Sequence, residues 1–353
     1  MARQSLQIVL AERPTRDIIP GQTFRQKVVE APTKADLKDG ELLVESIYLS
    51  LDPAMRGWLN DRRSYLPPVQ IGEVMRGAAI LRVIASKSSK ANAGEFVTGF
   101  MGFQEVAILH ETLIEDSFPL PPNAKLTDLI GVLGMTGMTA YFGMTTIGEP
   151  KAGETVVVSA AAGATGSVAA QIAKICGARV VGTAGSDEKC RWLKEELGLD
   201  VALNYKDPDF KQKFHEATPN YIDVFWDNGK GFLVGGEQLE LALGRANKFA
   251  RFVMCGGISQ YNQEVMQGPK TFLSVVSMRI KMQGFIVFDF AKDYPQARRQ
   301  IAQWLAEGKM KRKETIIKGG LGVSESALAH LFKGGNTGKL IVEVKNPEDS
   351  SKL

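Results

Sequence analysis

Thr155-Val156-Val157-Val158-Ser159-Ala160-Ala161-Ala162-Gly163-Ala164-Thr165-Gly166 is a short apolar run that enters a glycine turn. Thr155–Ser159 has no polar alternation, as expected of a strand buried on both faces of a parallel sheet. A helical pattern, Ser167–Cys176, follows. Gly163 and Gly166 have no Cβ, so backbone N–H groups can approach a pyrophosphate there, and a helix N-terminus adds positive potential. Ala164 and Thr165 complete this candidate cofactor turn. The spacing is GxxG rather than GxGxxG, and glycines also serve plain helix–strand packing. The flanking strand, helix and second strand are what point to a dinucleotide.

The alternation continues downstream. Arg179–Thr183 reads as a strand, Asp187–Leu197 as a helix and Val201–Leu203 as a short strand. Tyr221–Trp226, Gly236–Leu243, Phe249–Cys255 and Met282–Val287 extend the series to about six strands, enough for a doubly wound sheet. Just upstream, Thr139–Thr146 reads as helical. Residues 1–134 are different: the apolar and β-branched runs Glu41–Ser50, Gly77–Ala85 and the pieces within Glu95–Leu109 are parted by Gly, Pro and Asp. Short strands at that spacing suggest a partly closed barrel or sandwich. The expected fold is therefore α/β. A β-rich domain covers 1–134 and a Rossmann doubly wound domain covers 135–310. A segment 311–353, ending in the strand Leu340–Val344, returns to the first domain.

The end of the second Rossmann strand bears on the cofactor. An NAD site places an acid about 20 residues after the first glycine, against the ribose 2′-hydroxyl. Here the stretch is Gly182-Thr183-Ala184-Gly185-Ser186, without a carboxylate. Ser186 reads as an N-cap, with Asp187 and Glu188 in the first helical turn, where the helix dipole favours acids. Lys189 is the nearest cation. This pattern favours NADPH over NADH, although Lys189 also fits a solvated helix position.

A length of 353 residues suits two domains. The net charge of +4 is small, and the densest basic cluster, Lys309–Lys313, includes Met310. That argues against nucleic-acid binding. The cysteines are Cys176, Cys190 and Cys255, a sparse odd set that suits a reducing compartment rather than a disulfide framework. No thiolate precedes Cys176, and His110, His215 and His330 stand far apart without metal spacing. No metal is expected. The N-terminal stretch is too polar for a signal peptide, and no apolar run reaches membrane-span length. Ser351-Lys352-Leu353 matches the peroxisomal import tripeptide, so peroxisomal import through its receptor is expected, with the cytosol as the alternative.

Eight stretches carry a resemblance: YLSLDPAMRGW (48–58), VQIGEVMRG (69–77), LGMTGMTAYFG (133–143), VVVSAAAGATGSVAAQIAK (156–174), GSDEKC (185–190), NYKD (204–207), CGGISQYN (255–262) and GGNTGK (334–339). Together they resemble the zinc-independent medium-chain dehydrogenase/reductase superfamily. Within it they are similar to the leukotriene B4 12-hydroxydehydrogenase, prostaglandin reductase and alkenal double-bond reductase branch. The resemblance implies a GroES-like catalytic domain with an inserted Rossmann domain, an active site in the cleft and a homodimer. It implies Gly185, Lys189 and Tyr205 around the adenosine 2′-phosphate. Thr139, Asn228, Cys255, Tyr261, the Phe285, Ile286 and Val287 backbone, and Asn336 would flank the rest of the cofactor. Pro53, Ala54, Tyr65 and Tyr261 would line the substrate pocket. Many plant members carry tyrosine where Ala54 stands, which implies a wider pocket here. The family's DNVGG is Asp227-Asn228-Gly229-Lys230-Gly231 in this chain, and Lys230 has no physical account.

The implied activity is NADPH-dependent reduction of the carbon–carbon double bond of α,β-unsaturated ketones or aldehydes. Hydride goes to the β-carbon, charge moves to the carbonyl oxygen, and a donor must meet it. Tyr261 and Tyr65 are the candidate catalytic phenols, with the cofactor ribose hydroxyl as a rival and simple pocket lining as the bland alternative. Competing readings are a quinone reductase, an enoyl-thioester reductase and a non-catalytic NADPH-binding protein.

Overall fold

The computed structural model describes residues 3–115, 118–228, 236–256 and 269–348. Tyr261, Lys230 and Ser351-Lys352-Leu353 lie outside the described residues. The chain divides into two compact units, one of residues 1–130, 314–336 and 340–353, the other of 131–313 and 337–339.

The first unit opens with β1 (Gln4–Leu10) and β2 (Phe24–Glu30), an antiparallel pair with Gln4 opposite Glu30. The strands β3 (Glu41–Leu51), β4 (Ala79–Ser86), β5 (Phe96–Gly99) and β6 (Val106–His110) follow. β3 pairs antiparallel with both β4 and β6 and is buried from Leu42 to Leu51. A strand covered on both faces means that the sheet curls and its inner face is filled by side chains. Leu42, Val44, Leu49, Leu81, Val83 and Phe103 make that filling.

The second unit holds β7 (Thr155–Val158), β8 (Arg179–Ala184), β9 (Val201–Asn204), β10 (Ile222–Asp227), β11 (Ala246–Met254) and β12 (Lys281–Gly284). They form one parallel sheet in the order β12-β11-β10-β7-β8-β9. The order reverses beside β7, the doubly wound arrangement that places ligands at the carboxyl ends of the strands. Its helices are α1 (Met135–Phe142), α2 (Ala164–Ile175), α3 (Asp187–Glu195), α4 (Phe210–Ala217), α5 (Gly236–Gly244), the short α6 (Ser274–Ser277) and α7 (Tyr294–Ala306). Phe210 and Phe214 of α4 and Leu239 of α5 pack on Val157, Val181, Phe225 and Phe252 of the sheet. The chain then runs through β13 (Glu314–Lys318), α8 (Ser324–Phe332) and β14 (Lys339–Glu343). β14 extends the first sheet, antiparallel to β3, with Leu340 opposite Leu51.

The sequence pattern places a helix at Thr139–Thr146. The structure starts α1 four residues earlier, at Met135, and widens it into a π-turn over Gly143–Gly148. Thr139 donates to the Met135 carbonyl at 2.7 Å, Thr145 to that of Tyr141 at 2.7 Å, and Thr146 to that of Phe142. Hydroxyls that bond back one turn compete with the backbone ladder and bend helices. At Gly143 a Cβ would lie 2.4 Å from the Trp226 ring, so only glycine fits. The basic cluster is taken up locally. Lys309 pairs with Glu307 at 2.8 Å, Lys311 pairs with Glu196 at 3.3 Å, and the Lys313 ammonium lies 5.4 Å from the Trp192 ring centre.

One buried charge ties the first unit together. The Glu45 side chain on β3 is 1% exposed, with Lys345 at 2.7 Å, Arg3 at 3.1 Å and Arg82 at 3.5 Å. Burial pushes its carboxyl up, but the hydrogen bonds and charges of Lys345 and Arg3 outweigh that, and the net direction is down. A lowered folded-state value means stability that is present above the ordinary glutamate range and lost as pH falls through the folded value. Glu45→Ala removes the buried carboxylate that the three cations share, and a loss of about 3 kcal/mol is expected at neutral pH. Denaturant melts of both proteins across the acid range measure it: their difference should shrink toward low pH. A pH-independent difference would show that ion pairing is not the cause.

Candidate functional site

The glycine turn lies where β7 ends and α2 begins. α2 starts at Ala164 with Gly163 as its N-cap, three residues before the Ser167 start expected from the pattern. Ala164, Thr165 and Gly166 are thus its first three helical residues, whose N–H groups helix geometry leaves without intrahelical acceptors. Ala161 donates to the Thr183 carbonyl at 2.8 Å, and Gly163 to that of Ala160 at 3.0 Å. Ala160 itself takes a φ of 49°. A Cβ on Gly166 would sit 2.4 Å from the Ala160 oxygen, whereas one on Gly163 would be 3.3 Å away at an ordinary φ of −82°. The two glycines differ in kind: Gly166 is required by close approach, and Gly163 is close to replaceable. Gly338 of the GGNTGK stretch rests on the same turn, donating to the Ala162 carbonyl at 2.8 Å. It has a φ of 68°, and a Cβ there would meet the Lys313 oxygen at 1.9 Å. Asn336, two residues earlier, is buried.

The β8 end brings together Gly185, Lys189 and Tyr205. A Cβ on Gly185 would come within 2.6 Å of the Tyr205 hydroxyl oxygen, so this glycine leaves the phenol its place. Ser186 caps α3 by accepting from the Lys189 N–H at 3.3 Å, and Asp187 and Glu188 occupy the first turn. Asp187 accepts from the Asn204 amide at 2.9 Å. Burial and the neighbouring Lys206 lower the Lys189 pKa, against the opposing pull of Glu188. Burial raises that of Tyr205. A half-buried lysine destabilised by a second lysine gains from a bound anion, and a phosphate dianion suits the pair. Sequence reading missed Lys206, although it stands in the quoted NYKD stretch.

At the β10 end Asn228 is held twice. Its N–H donates to the Ser159 hydroxyl at 2.8 Å and its amide to the Ser159 carbonyl at 3.0 Å. The Ser159 hydroxyl in turn donates to buried Asp227 at 3.3 Å. Cys255 donates its N–H to the Asp227 carbonyl at 3.0 Å. Burial, with the Asp227 charge adding, pushes the Cys255 thiol up to about 12, so it stays protonated at neutral pH. Phe285 meets Trp226 edge-on at 6.1 Å, Ile286 is half-buried, and Val287 is buried. The Val287 carbonyl accepts from the Tyr294 hydroxyl at 3.0 Å. Thr139 spends its hydroxyl on Met135. Ser159 and Tyr294 are supporting residues whose partners lie 69 and 7 residues away in sequence. Only the fold reveals the first.

In the first unit Pro53 and Ala54 open a 3₁₀ turn, Pro53–Leu59. Arg56 is 1% exposed and pins that turn from below, donating to the carbonyls of Arg16 at 3.0 Å and Pro14 at 2.8 Å and to the Asn60 amide oxygen at 2.6 Å. The Trp58 indole N–H donates to the Tyr65 phenol oxygen at 2.8 Å. Among the described residues no group of three or more His, Cys, Asp or Glu is placed to hold a metal ion, and His110, His215 and His330 are all exposed.

The contrast between the two turn glycines is testable by denaturant unfolding. Gly166→Ala should destabilise the protein by about 1 to 3 kcal/mol, as overpacking does, while Gly163→Ala should be close to neutral. Equal effects would contradict the close approach at Gly166.

Comparison with known proteins agrees with this architecture. The pattern described as the N-terminal domain of oxidoreductase matches residues 6–116, and that described as zinc-binding dehydrogenase matches residues 164–303. The NADPH-dependent curcumin reductase of Escherichia coli is 38% identical, covering 95% of this chain and 96% of its own. The NADP-dependent 2-alkenal reductase of Nicotiana tabacum is 36% identical over 92% of each. The crystal structure of CurA from Vibrio vulnificus in complex with NADPH superposes with a TM-score of 0.89 at 38% identity, covering 97% of this chain and all of that one. The chain belongs to the zinc-independent branch of the medium-chain dehydrogenase/reductase family.

Proposed function

We propose that this protein reduces the carbon–carbon double bond of α,β-unsaturated ketones and aldehydes. Its cofactor is NADPH, and the residues present fit it. The first turn of α2 offers N–H groups, Gly185 leaves room beside Tyr205, and Lys189 with Lys206 suits a 2′-phosphate. When bound, NADPH supplies the hydride that the β-carbon receives. The observation that carries the reading is Tyr65, a phenol that an N–H donor holds at 2.8 Å beside the Pro53–Leu59 turn. Charge moves onto the substrate carbonyl oxygen as the double bond is reduced, and a neutral O–H donor stabilises that oxygen more in the transition state than in the ground state. The names of two relatives, curcumin reductase and 2-alkenal reductase, support the same substrate class. Tyr261 belongs to the proposal as a second phenol.

An NADPH-oxidation screen over enals, enones, quinones and enoyl thioesters tests it. Enals and enones should turn over best, and a preference for naphthoquinone would overturn the reading. Tyr65→Phe and Tyr261→Phe each delete one donor. Loss of a true oxyanion donor lowers kcat by about 10²–10³, so the catalytic phenol should fall by that factor with KM little changed. If both variants stay near wild type, the phenols only line the pocket.

Lys189→Ala should weaken NADPH by about 1 to 3 kcal/mol, as for a lost charge-assisted hydrogen bond, and leave NADH nearly unchanged. Fluorescence titration of both cofactors reads this, and equal losses would remove Lys189 from the phosphate site.

We also propose a homodimer. β12 is an edge strand, and Phe272, Leu273 and Val276 nearby in the chain are 56%, 79% and 72% exposed. Among the described residues β12 has a strand on one side only, and an edge strand with exposed apolar residues nearby in the chain suits a second copy of the chain. Light scattering should give twice the chain mass, and Leu273→Asp with Val276→Asp should halve it. A wild-type protein that is monomeric at micromolar concentration contradicts this.

A further inference from the structure

We propose that Asn204 is a positioning residue for cofactor choice: its amide ties the Asp187 carboxylate to β9 and so keeps the nearest acid from serving as a ribose ligand. The inference rests on the reading that the end of β8 receives the 2′-phosphate of NADPH. It adds the residue that keeps that end from working as an NADH site.

The sequence sets the problem. In a doubly wound sheet the adenosine ribose meets the end of the second strand, and an acid there accepts from its 2′-hydroxyl, which selects NADH. β8 ends at Ala184, and Asp187 is the first carboxylate after it, at the first position of α3. The residue type that selects NADH is therefore present, three residues past the strand. A carboxylate free to approach the 2′ position would repel a phosphate dianion and accept from a hydroxyl.

The structure shows what holds it. Asn204 is the last residue of β9 and lies opposite Ala184 in the sheet register. Its amide nitrogen donates to Asp187 Oδ1 at 2.9 Å, and its amide oxygen accepts from the Lys206 N–H at 3.1 Å. A carboxylate accepts and a backbone N–H donates, so the two partners fix which way the amide points. The bond to the N–H two residues on is an Asx turn, which ties the side chain to its own backbone. That backbone is fixed as well: the Asn204 carbonyl accepts from the Asp207 N–H at 3.0 Å, and the Tyr205 N–H donates to the Ala184 carbonyl at 3.0 Å.

The tie also has a direction. β9 is the edge strand, on the far side of β8 from β7 and its glycine turn. Two neighbours feel the Asp187 charge. Burial first, and then Asp187, push the Cys190 thiol up to about 11 against the pull of the Ala184 backbone. Lys213 on α4 is raised chiefly by its bond to Asp207, with Asp187 adding to it. An acid in the first turn of α3 is favoured by the helix dipole. Asp187 thus has a place in the folded chain that asks for no ligand.

Fluorescence titration of NADPH and NADH tests this on wild type, Asn204→Ala, Asp187→Asn and the double variant. Asn204→Ala releases the carboxylate. The Kd for NADPH should rise about tenfold, the size of one like-charge contact near a surface, and the Kd for NADH should not rise. Asp187→Asn keeps the shape and removes the charge, so in that background Asn204→Ala should no longer change the Kd for NADPH. A merely structural role for Asn204 would weaken both cofactors together. A direct bond from Asn204 to the phosphate would leave the loss in the double variant. Either result overturns the proposal. The underlying reading fails separately: if Lys189→Ala costs both cofactors equally, the phosphate does not lie at the end of β8.

Discussion

The contact between the Ala160 carbonyl and Gly166 is the constraint on which the nucleotide-binding unit depends. Gly166 has no Cβ, so α2 can begin directly over the end of β7. Any side chain there would meet the carbonyl at 2.4 Å and push the helix start away from the strand. That displacement would carry the exposed N–H groups of Ala164 and Thr165 with it. The same short turn is pinned to β8 through Ala161 and Thr183, and it receives Gly338 on the Ala162 carbonyl. The two glycines are required by different neighbours, Gly166 by the Ala160 carbonyl of the turn and Gly338 by the Lys313 carbonyl that precedes β13.

Charge is placed with a similar economy. Glu45 has its cations around it, and its carboxyl is driven down despite full burial. Lys189 is the reverse case, a half-buried cation with another cation beside it. The first arrangement carries its counter-charges within the folded chain. The second would gain from the 2′-phosphate proposed for it, because an anion relieves both burial and like-charge repulsion.

The legible part of the fold was the part with long, unmixed signals. β7, β8 and β9 were expected at Thr155–Ser159, Arg179–Thr183 and Val201–Leu203, and each is found within one residue of those limits; β7 and β8, buried on both faces, are continuous apolar runs, while β9 is a half-buried edge strand. β1 and β2 were not read: in β2 only Phe24 is buried, and no clean alternation marks it. α1 was placed late because its threonines bond backward and the helix widens into a π-turn. Helix α2 was started late because the turn residues were counted as loop. Within the candidate site the individual residues were legible through resemblance, but their supports were not. Ser159 and Asn228, or Gln171 and Lys311, meet across 69 and 140 residues. No local pattern encodes such a meeting. Trp58 and Tyr65 are only seven apart, yet an aromatic pair at that spacing on an irregular loop has no period to announce it.

A phenol suits the proposed chemistry. It carries no charge at neutral pH, it donates a single directed hydrogen bond, and its strength as a donor is adjustable through the group it accepts from. Cys255 is held as a neutral thiol by its burial, so it adds no competing charge at its strand end. Ala54 contributes no phenol on the Pro53–Leu59 turn. Among the described residues of the Pro53–Tyr65 segment, Tyr65 is the only phenol, and it is the one that Trp58 holds. A donor carried on a loop of irregular backbone has more orientations to lose than one on a strand or helix. The indole N–H of Trp58 removes some of that freedom in the folded chain.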